Sequence, residues 1–138
     1  MNNLKLLTKK ERDCLITIGV HEVDEFPLRL IDLSDMLNVK PPTTLNLIKR
    51  LEGKKLVLHV KGMIHLTNKG KSFYHEIEEN HRILETLMVT YGMDIDRACL
   101  ISEQIDYLVD HDSIDTMFLK LGKPGKCPHG RTIEQIHD

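Results

Sequence analysis

The stretch from Ile31 to Gly70 constrains the fold of this chain more than any other. Ile31-Asp32-Leu33-Ser34-Asp35-Met36-Leu37 reads as a short amphipathic helix. In this reading Asp32 is its cap, Asp35 holds the reciprocal position, and Leu33, Met36 and Leu37 point inward. Pro41 and Pro42 carry no N–H, so they fit only a turn and a first helical turn. The helix they open is expected to run to about Glu52-Gly53 and to bury Leu45, Ile48 and Leu51. That face leaves Thr43, Thr44, Asn46, Lys49 and Arg50 exposed. Next, Leu56-Val57-Leu58-His59-Val60 and Met63-Ile64-His65-Leu66 are two β-like runs joined through Lys61-Gly62. Two helices and a hairpin in this order make a winged helix-turn-helix. Hydroxyls, an amide and cations on the open side of a helix suit base edges and phosphates, and Lys61 places a cation at the hairpin tip. An ordinary solvated surface is the competing reading; the hairpin favours a reader of double-stranded DNA.

Charge is distributed to match. The net charge is −2, but residues 1–75 hold 13 Lys and Arg against 8 Asp and Glu, whereas residues 76–138 hold 6 against 13. A basic first half suits a phosphate backbone and an acidic second half suits cations. Aromatic residues make up only 4% and there is no Trp, which disfavours base stacking on single strands. Cys14, Cys99 and Cys127 are too few, and odd in number, for a disulfide framework. The N-terminus has no signal-peptide pattern and no apolar run is long enough to span a bilayer, so a cytoplasmic protein without membrane association is expected.

The remaining chain reads as helices. Thr8 with Glu11 forms a capping-box pattern for a first helix closing near His21, with Pro27 ending any continuation. Thr67 caps a long helix from about Asn68 to Tyr91, with Phe73, Ile77, Leu84, Leu87 and Met88 as its apolar positions. Gly92 stops it, and Asp94 caps a helix over about residues 95–109. Asp112 and Ser113 start a final helix bearing Ile114, Met117, Phe118 and Leu121, ended by Gly122 and Pro124. The expected fold is mainly α. A winged-helix domain spans residues 1–70, and a helical metal-binding and dimerisation domain spans residues 71–138. The last two helices carry more apolar surface than one short lobe buries, which predicts a homodimer.

The second half also carries metal-ligand spacing. His81 and Glu85 lie one helical turn apart, and Cys99, Glu103 and Asp106 share a face at i, i+4 and i+7. Tyr107 adjoins that face. Each residue has a plainer reading: Cys99 beside Ala98 as a small core residue, Glu103 and Asp106 as solvated charges, His81 and Glu85 as a surface pair. Their convergence is what points to a metal.

These features together resemble the iron- and manganese-dependent repressors of the diphtheria toxin repressor and manganese transport regulator type. The resemblance covers nearly the whole chain. It rests on the Leu33-to-Gly70 winged helix, on His81-Arg82-Ile83-Leu84-Glu85, on Ala98-Cys99 and on Cys127-Pro128-His129-Gly130. It implies Asp13 as a first-helix ligand, with His81 and Glu85 on the long helix. An ungapped register puts Glu103, Asp106 and Tyr107 where the family has Cys or Glu, then Glu, then His, and Cys99 where one branch has a second-site His. A one-residue slip would instead align Cys99 with the family's Cys and Ser102 with its Glu; the first register keeps acids at acid positions. Tyr107 departs from the pattern, since a phenol does not replace a neutral imidazole. Cys127 and His129 read either as a further site or, the favoured reading, as a tie for the tail. The chain looks like the short form that lacks an SH3-like domain.

The resemblance implies a homodimeric repressor that binds a palindromic operator when a divalent transition metal is present. Asp13, His81, Glu103 and Asp106 suit Fe2+ or Mn2+, and Cys99 moves the preference toward Fe2+, Co2+ or Zn2+. Lys40, Pro42, Thr43 and Asn46 would meet bases, and Thr44, Lys49 and Lys61 phosphates. A winged-helix regulator answering to a small organic ligand or a protein partner without metal is the alternative. A metalloenzyme is disfavoured, since no His-Glu-x-x-His, phosphate loop or nucleophile-base pair is present.

Overall fold

The computed structural model describes residues 2–22 and 28–134; Pro27, expected to close the first helix, lies outside them. The chain divides into two compact units, Leu6–Tyr74 and a second comprising Met1–Lys5 with His75–Asp138.

In the first unit, α1 (Lys9–His21) opens on a capping box. Thr8 Oγ1 accepts from Glu11 N at 3.2 Å, and Glu11 Oε1 accepts from Thr8 N at 2.8 Å. β1 (Leu28–Arg29) leads directly into α2 (Leu30–Leu37), followed by α3 (Pro41–Gly53), β2 (Val57–Val60) and β3 (Met63–Leu66). The sheet order is β1-β3-β2, antiparallel throughout, with Leu28 opposite Ile64 and Val60 opposite Met63. Lys61 and Gly62 both take positive φ at the hairpin tip, the conformation a two-residue turn requires. The core gathers Leu15, Ile18, Leu33, Ile48, Leu51, Leu56 and Ile64.

Three expectations are corrected here. Arg29, not Asp32, is the N-cap of α2; Asp32 sits three residues in and accepts from Arg29 N at 3.3 Å. Met36 is exposed rather than inward. On α3 the buried stripe is Thr44, Leu47, Ile48 and Leu51, with Leu45 only half-buried. The spacing i, i+3, i+4, i+7 holds one face of a 3.6-residue helix, whereas i, i+3, i+6 drifts off it. Thr44 can therefore not stand on the open side. Its Oγ1 lies 2.8 Å from Ser34 Oγ of α2, and both residues are buried.

In α4 (Asn68–Thr90) the residues up to Tyr74 belong to the first unit and the rest to the second. Thr67 caps it, accepting from Gly70 N at 2.9 Å. Gly70 is required by closeness, since a Cβ there would lie 2.0 Å from the Leu56 carbonyl oxygen.

The second unit continues with α5 (Ile95–Ile105) and α6 (His111–Lys120). Asp94 caps α5 as expected, but α5 stops at Ile105 rather than residue 109. α6 is capped by Asp110, upstream of the expected Asp112, with Ser113 N donating to Asp110 Oδ2 at 3.0 Å. Ile83, Leu84, Ile114 and Phe118 form the core, and the tail closes it with Cys127 and Ile133. A bridge between Lys126 and Thr132 folds that tail back on itself. No helix among the described residues is long and apolar enough to cross a membrane.

Candidate metal centre

The 3.6-residue repeat of α4 puts His81 and Glu85 on one face, and α5 brings Cys99 to them. Their ligand atoms all lie within 4.8 Å of one another. His81 Nε2 is 3.2 Å from Glu85 Oε2 and 3.5 Å from Cys99 Sγ. Glu103, one turn along α5, places Oε1 4.0 Å from the thiol. Asp106 takes the opposite side of the imidazole, with Oδ2 3.3 Å from His81 Nδ1, while its own backbone carbonyl accepts from Asn80 Nδ2 at 2.9 Å. A buried carboxylate on Nδ1 holds the proton there and leaves the Nε2 lone pair facing Glu85 and Cys99. This is the arrangement that orients a metal-binding histidine from behind.

The tail enters this centre as well. His129 Nδ1 is 2.6 Å from Glu85 Oε1, so Glu85 stands between two imidazoles. A cavity of about 90 Å3 is lined by His81, Glu85, Cys99, Cys127, His129 and Arg131. The sequence reads His129 either as part of a further site or, the favoured reading, as a tie for the tail, and its contact with Glu85 does tie the tail to α4. The signal for it is the spacing from Cys127, a thiol and an imidazole in a Gly/Pro-rich turn.

Electrostatics follow from burial and the acids. Burial pushes the His81 pKa down, but the hydrogen bond and charge of Asp106, with Glu85 and Glu78, more than offset it and leave it raised. The Cys99 thiol is raised by burial and by Glu103 and Glu85, against a smaller opposing effect of Arg131. The donors are one imidazole nitrogen, one fully buried carboxylate and one thiol, the set that a divalent transition metal takes up. The residues therefore fit such an ion.

Of the expected ligands, one belongs to the first unit, and Tyr107 and Cys14 are not among those expected. Asp13 is half-buried on α1 of the first unit, and its Oδ1 accepts from Lys9 Nζ and from Arg12 at 3.0 Å. Tyr107 is buried but is not among the clustered donors. Cys14 is a closed core thiol, its pKa pushed up to about 12 by burial, then Glu11 and Asp13.

On the first unit, Lys40, Pro42, Thr43, Asn46 and Lys49 are exposed at and along α3, and Lys61 is exposed at the hairpin tip. Thr44 is the exception for the reason given above.

Residues 67–135 match the family described as "Iron dependent repressor, metal binding and dimerisation domain". The chain is 28% identical over 112 residues to the transcriptional regulator MntR of Escherichia coli O6:H1, covering 80% of this chain and 71% of that protein. It is also 28% identical over 106 residues to an uncharacterized HTH-type transcriptional regulator of Aeropyrum pernix, and spans 59% of that relative's length. Among solved structures, a hypothetical protein from Sulfolobus solfataricus superposes with a TM-score of 0.82 at 31% identity, covering 94% of this chain and all of that one. A manganese-dependent transcriptional repressor in complex with manganese gives 0.79 at 26% identity, covering 91% of this chain and 59% of that one.

Proposed function

Since the chain belongs to the family of iron-dependent repressors with a metal-binding and dimerisation domain, we propose that it is a homodimeric transcriptional regulator whose affinity for DNA is set by a divalent metal. His81, Glu85 and Cys99 are the proposed ligands, with Glu103 and His129 at the rim and Asp106 orienting His81. The observation that carries this reading is the Asp106–His81 pair beside Cys99: an imidazole aimed by a buried acid at a thiol and a second acid. When bound, the ion would offset the charge that Glu85, Glu103 and Asp106 concentrate there and tie α4 to α5. Cys99 favours Fe2+, Co2+ or Zn2+ over Mn2+, because thiolate prefers softer ions than carboxylate does.

Lys40, Pro42, Thr43 and Asn46 at the start of α3 would read major-groove edges, while Lys49 and Lys61 would meet phosphates. A homodimer would present two such helices to a palindromic operator. The test is to select DNA from a random pool with the metal-loaded protein, then compare affinity for that DNA with Fe2+, Co2+, Zn2+ or Mn2+ against chelator. Tighter binding with metal, lost in Cys99→Ala, is expected. Equal affinity with metal and chelator would sink the proposal.

A further inference from the structure

A second cavity of the same unit lies apart from the metal ligands. It holds about 240 Å3 and is walled by Leu4, Lys5, Glu76, Asn80, Tyr107 and Asp110, with other residues of both chain segments completing it. Glu76 is the informative residue. It is 7% exposed, its buried Oε2 has no hydrogen-bond partner, and no ion pair to it is found among the described residues. A carboxylate taken out of water without a donor is unfavourable unless a cation or a proton meets it.

The neighbouring groups are already engaged. Asn80 spends its amide N–H on the Asp106 carbonyl, which leaves its Oδ1 as an acceptor. Asp110 receives Ser113 N and Ser113 Oγ on its two oxygens. His111, also on the wall, directs Nε2 to Asp115 at 3.1 Å. Lys5 is the cation on the wall, but among the described residues no ion pair or hydrogen bond joins it to Glu76. A bare divalent ion is a poor match, because among the described residues only His81, Glu85 and Cys99 bring three ionisable ligands together. The volume admits about eight water-sized groups, and Leu4 and Val109 offer apolar wall for a short stem.

We infer that this cavity binds a small organic molecule carrying a primary ammonium group on a short aliphatic stem, with the ammonium on Glu76 and Asn80 Oδ1. Lys5 on the wall allows a carboxylate on the same ligand, so simple amines and α-amino acids are two sources of the same chemistry. The ligand would bind beside the metal, not in its place, and the inference stands whatever ion occupies the metal centre.

The experiment is calorimetric titration of the full chain, metal-loaded and metal-free, with butylamine, 1,4-diaminobutane, L-valine and the N-acetylated form of each. Saturable binding below about 1 mM by the free amines, or by L-valine, is expected, with no binding by the acetylated forms. Whether the amines or L-valine bind more tightly tells the two sources apart. Glu76→Gln, close in shape to the native side chain, should weaken binding by at least about tenfold. The same variant should keep the cobalt absorption of Cys99, which shows that it has folded. Failure of every free amine to bind, equal binding of the acetylated forms, or undiminished binding by folded Glu76→Gln would each overturn the inference. So would direct competition by Mg2+ or Mn2+ for the Glu76 site.

Discussion

In the proposed metal centre Asp106 acts through His81, so its removal should weaken the site without abolishing it. Asp106→Asn keeps an oxygen near Nδ1 but removes the charge that favours an Nδ1 proton and a basic Nε2. Metal affinity should fall by about 10- to 100-fold, read by cobalt titration against a competing chelator. Cys99→Ser should instead abolish the near-ultraviolet sulfur-to-cobalt band, because a hydroxyl does not supply it. In the first unit, Glu11 is fully buried, and Lys54 Nζ donates to its two oxygens at 2.7 and 2.9 Å. Burial pushes the Glu11 pKa up, but Lys54 and the Thr8 cap more than offset it, leaving it below 4.5. The stabilisation is thus present above pH 4.5 and fades as pH falls through the lower folded value. Lys54→Met strands the buried carboxylate and should cost about 2 kcal/mol near neutrality, a figure kept modest because Lys54 is part-exposed. Denaturant midpoints at neutral pH and below pH 4.5 check this: the deficit should shrink at the lower pH, where Glu11 takes up a proton.

The proposed function separates stability from recognition along α3, residue by residue. Thr44→Val removes a hydroxyl from the buried pair with Ser34 and should destabilise by about 1–3 kcal/mol, without touching the salt dependence of DNA binding. Lys49→Ala should do the reverse, leaving the unfolding midpoint in place and lowering the salt slope by about one unit. Asn46→Ala should relax base preference; unchanged discrimination would remove it from the reading face. That contrast also locates the limits of the sequence. Caps, prolines and the Lys61-Gly62 turn act over three or four residues, and so α1, α3, the hairpin and the start of α4 are legible from local spacing. Which of two leucines, Leu45 or Leu47, faces inward depends on the phase of the whole helix. A threonine reads as polar until a serine of another helix is seen to meet it. The two-residue strand β1 exists only because β3 pairs with it, and Asp110 outcompetes Asp112 as a cap through its contact with Ser113. His81 with Glu85, and Cys99 with Glu103, are visible as one-turn spacings. The position of Asp106 behind the ring and the return of His129 to Glu85 come from tertiary folding that no local pattern encodes.

At the scale of the molecule, the proposed function assigns DNA reading to a basic unit and metal binding to an acidic one, and any coupling between them is a matter of free energy. Leu100, Leu108 and Leu119 stay 62, 44 and 56% exposed on and beside the helices of the second unit. Leu100→Glu with Leu108→Glu should therefore yield a monomer by sedimentation and lose the avidity of paired half-sites. If metal raises DNA affinity by some factor, DNA must raise metal affinity by the same factor, since both describe one closed cycle. Protons enter that cycle through the ligands. His81 and Cys99 both have raised pKa values in the metal-free protein, and each must present a deprotonated donor to the ion. Metal uptake therefore releases protons and tightens as pH rises. At a fixed, subsaturating metal concentration, lowering the pH should empty the centre and weaken DNA binding with it. At saturating metal the same pH step should have a much smaller effect, because mass action restores occupancy. Fluorescence anisotropy on selected DNA, with the pH step repeated at two metal concentrations, separates these cases. An equal loss at both would place the proton effect on the DNA-reading face rather than on His81 and Cys99.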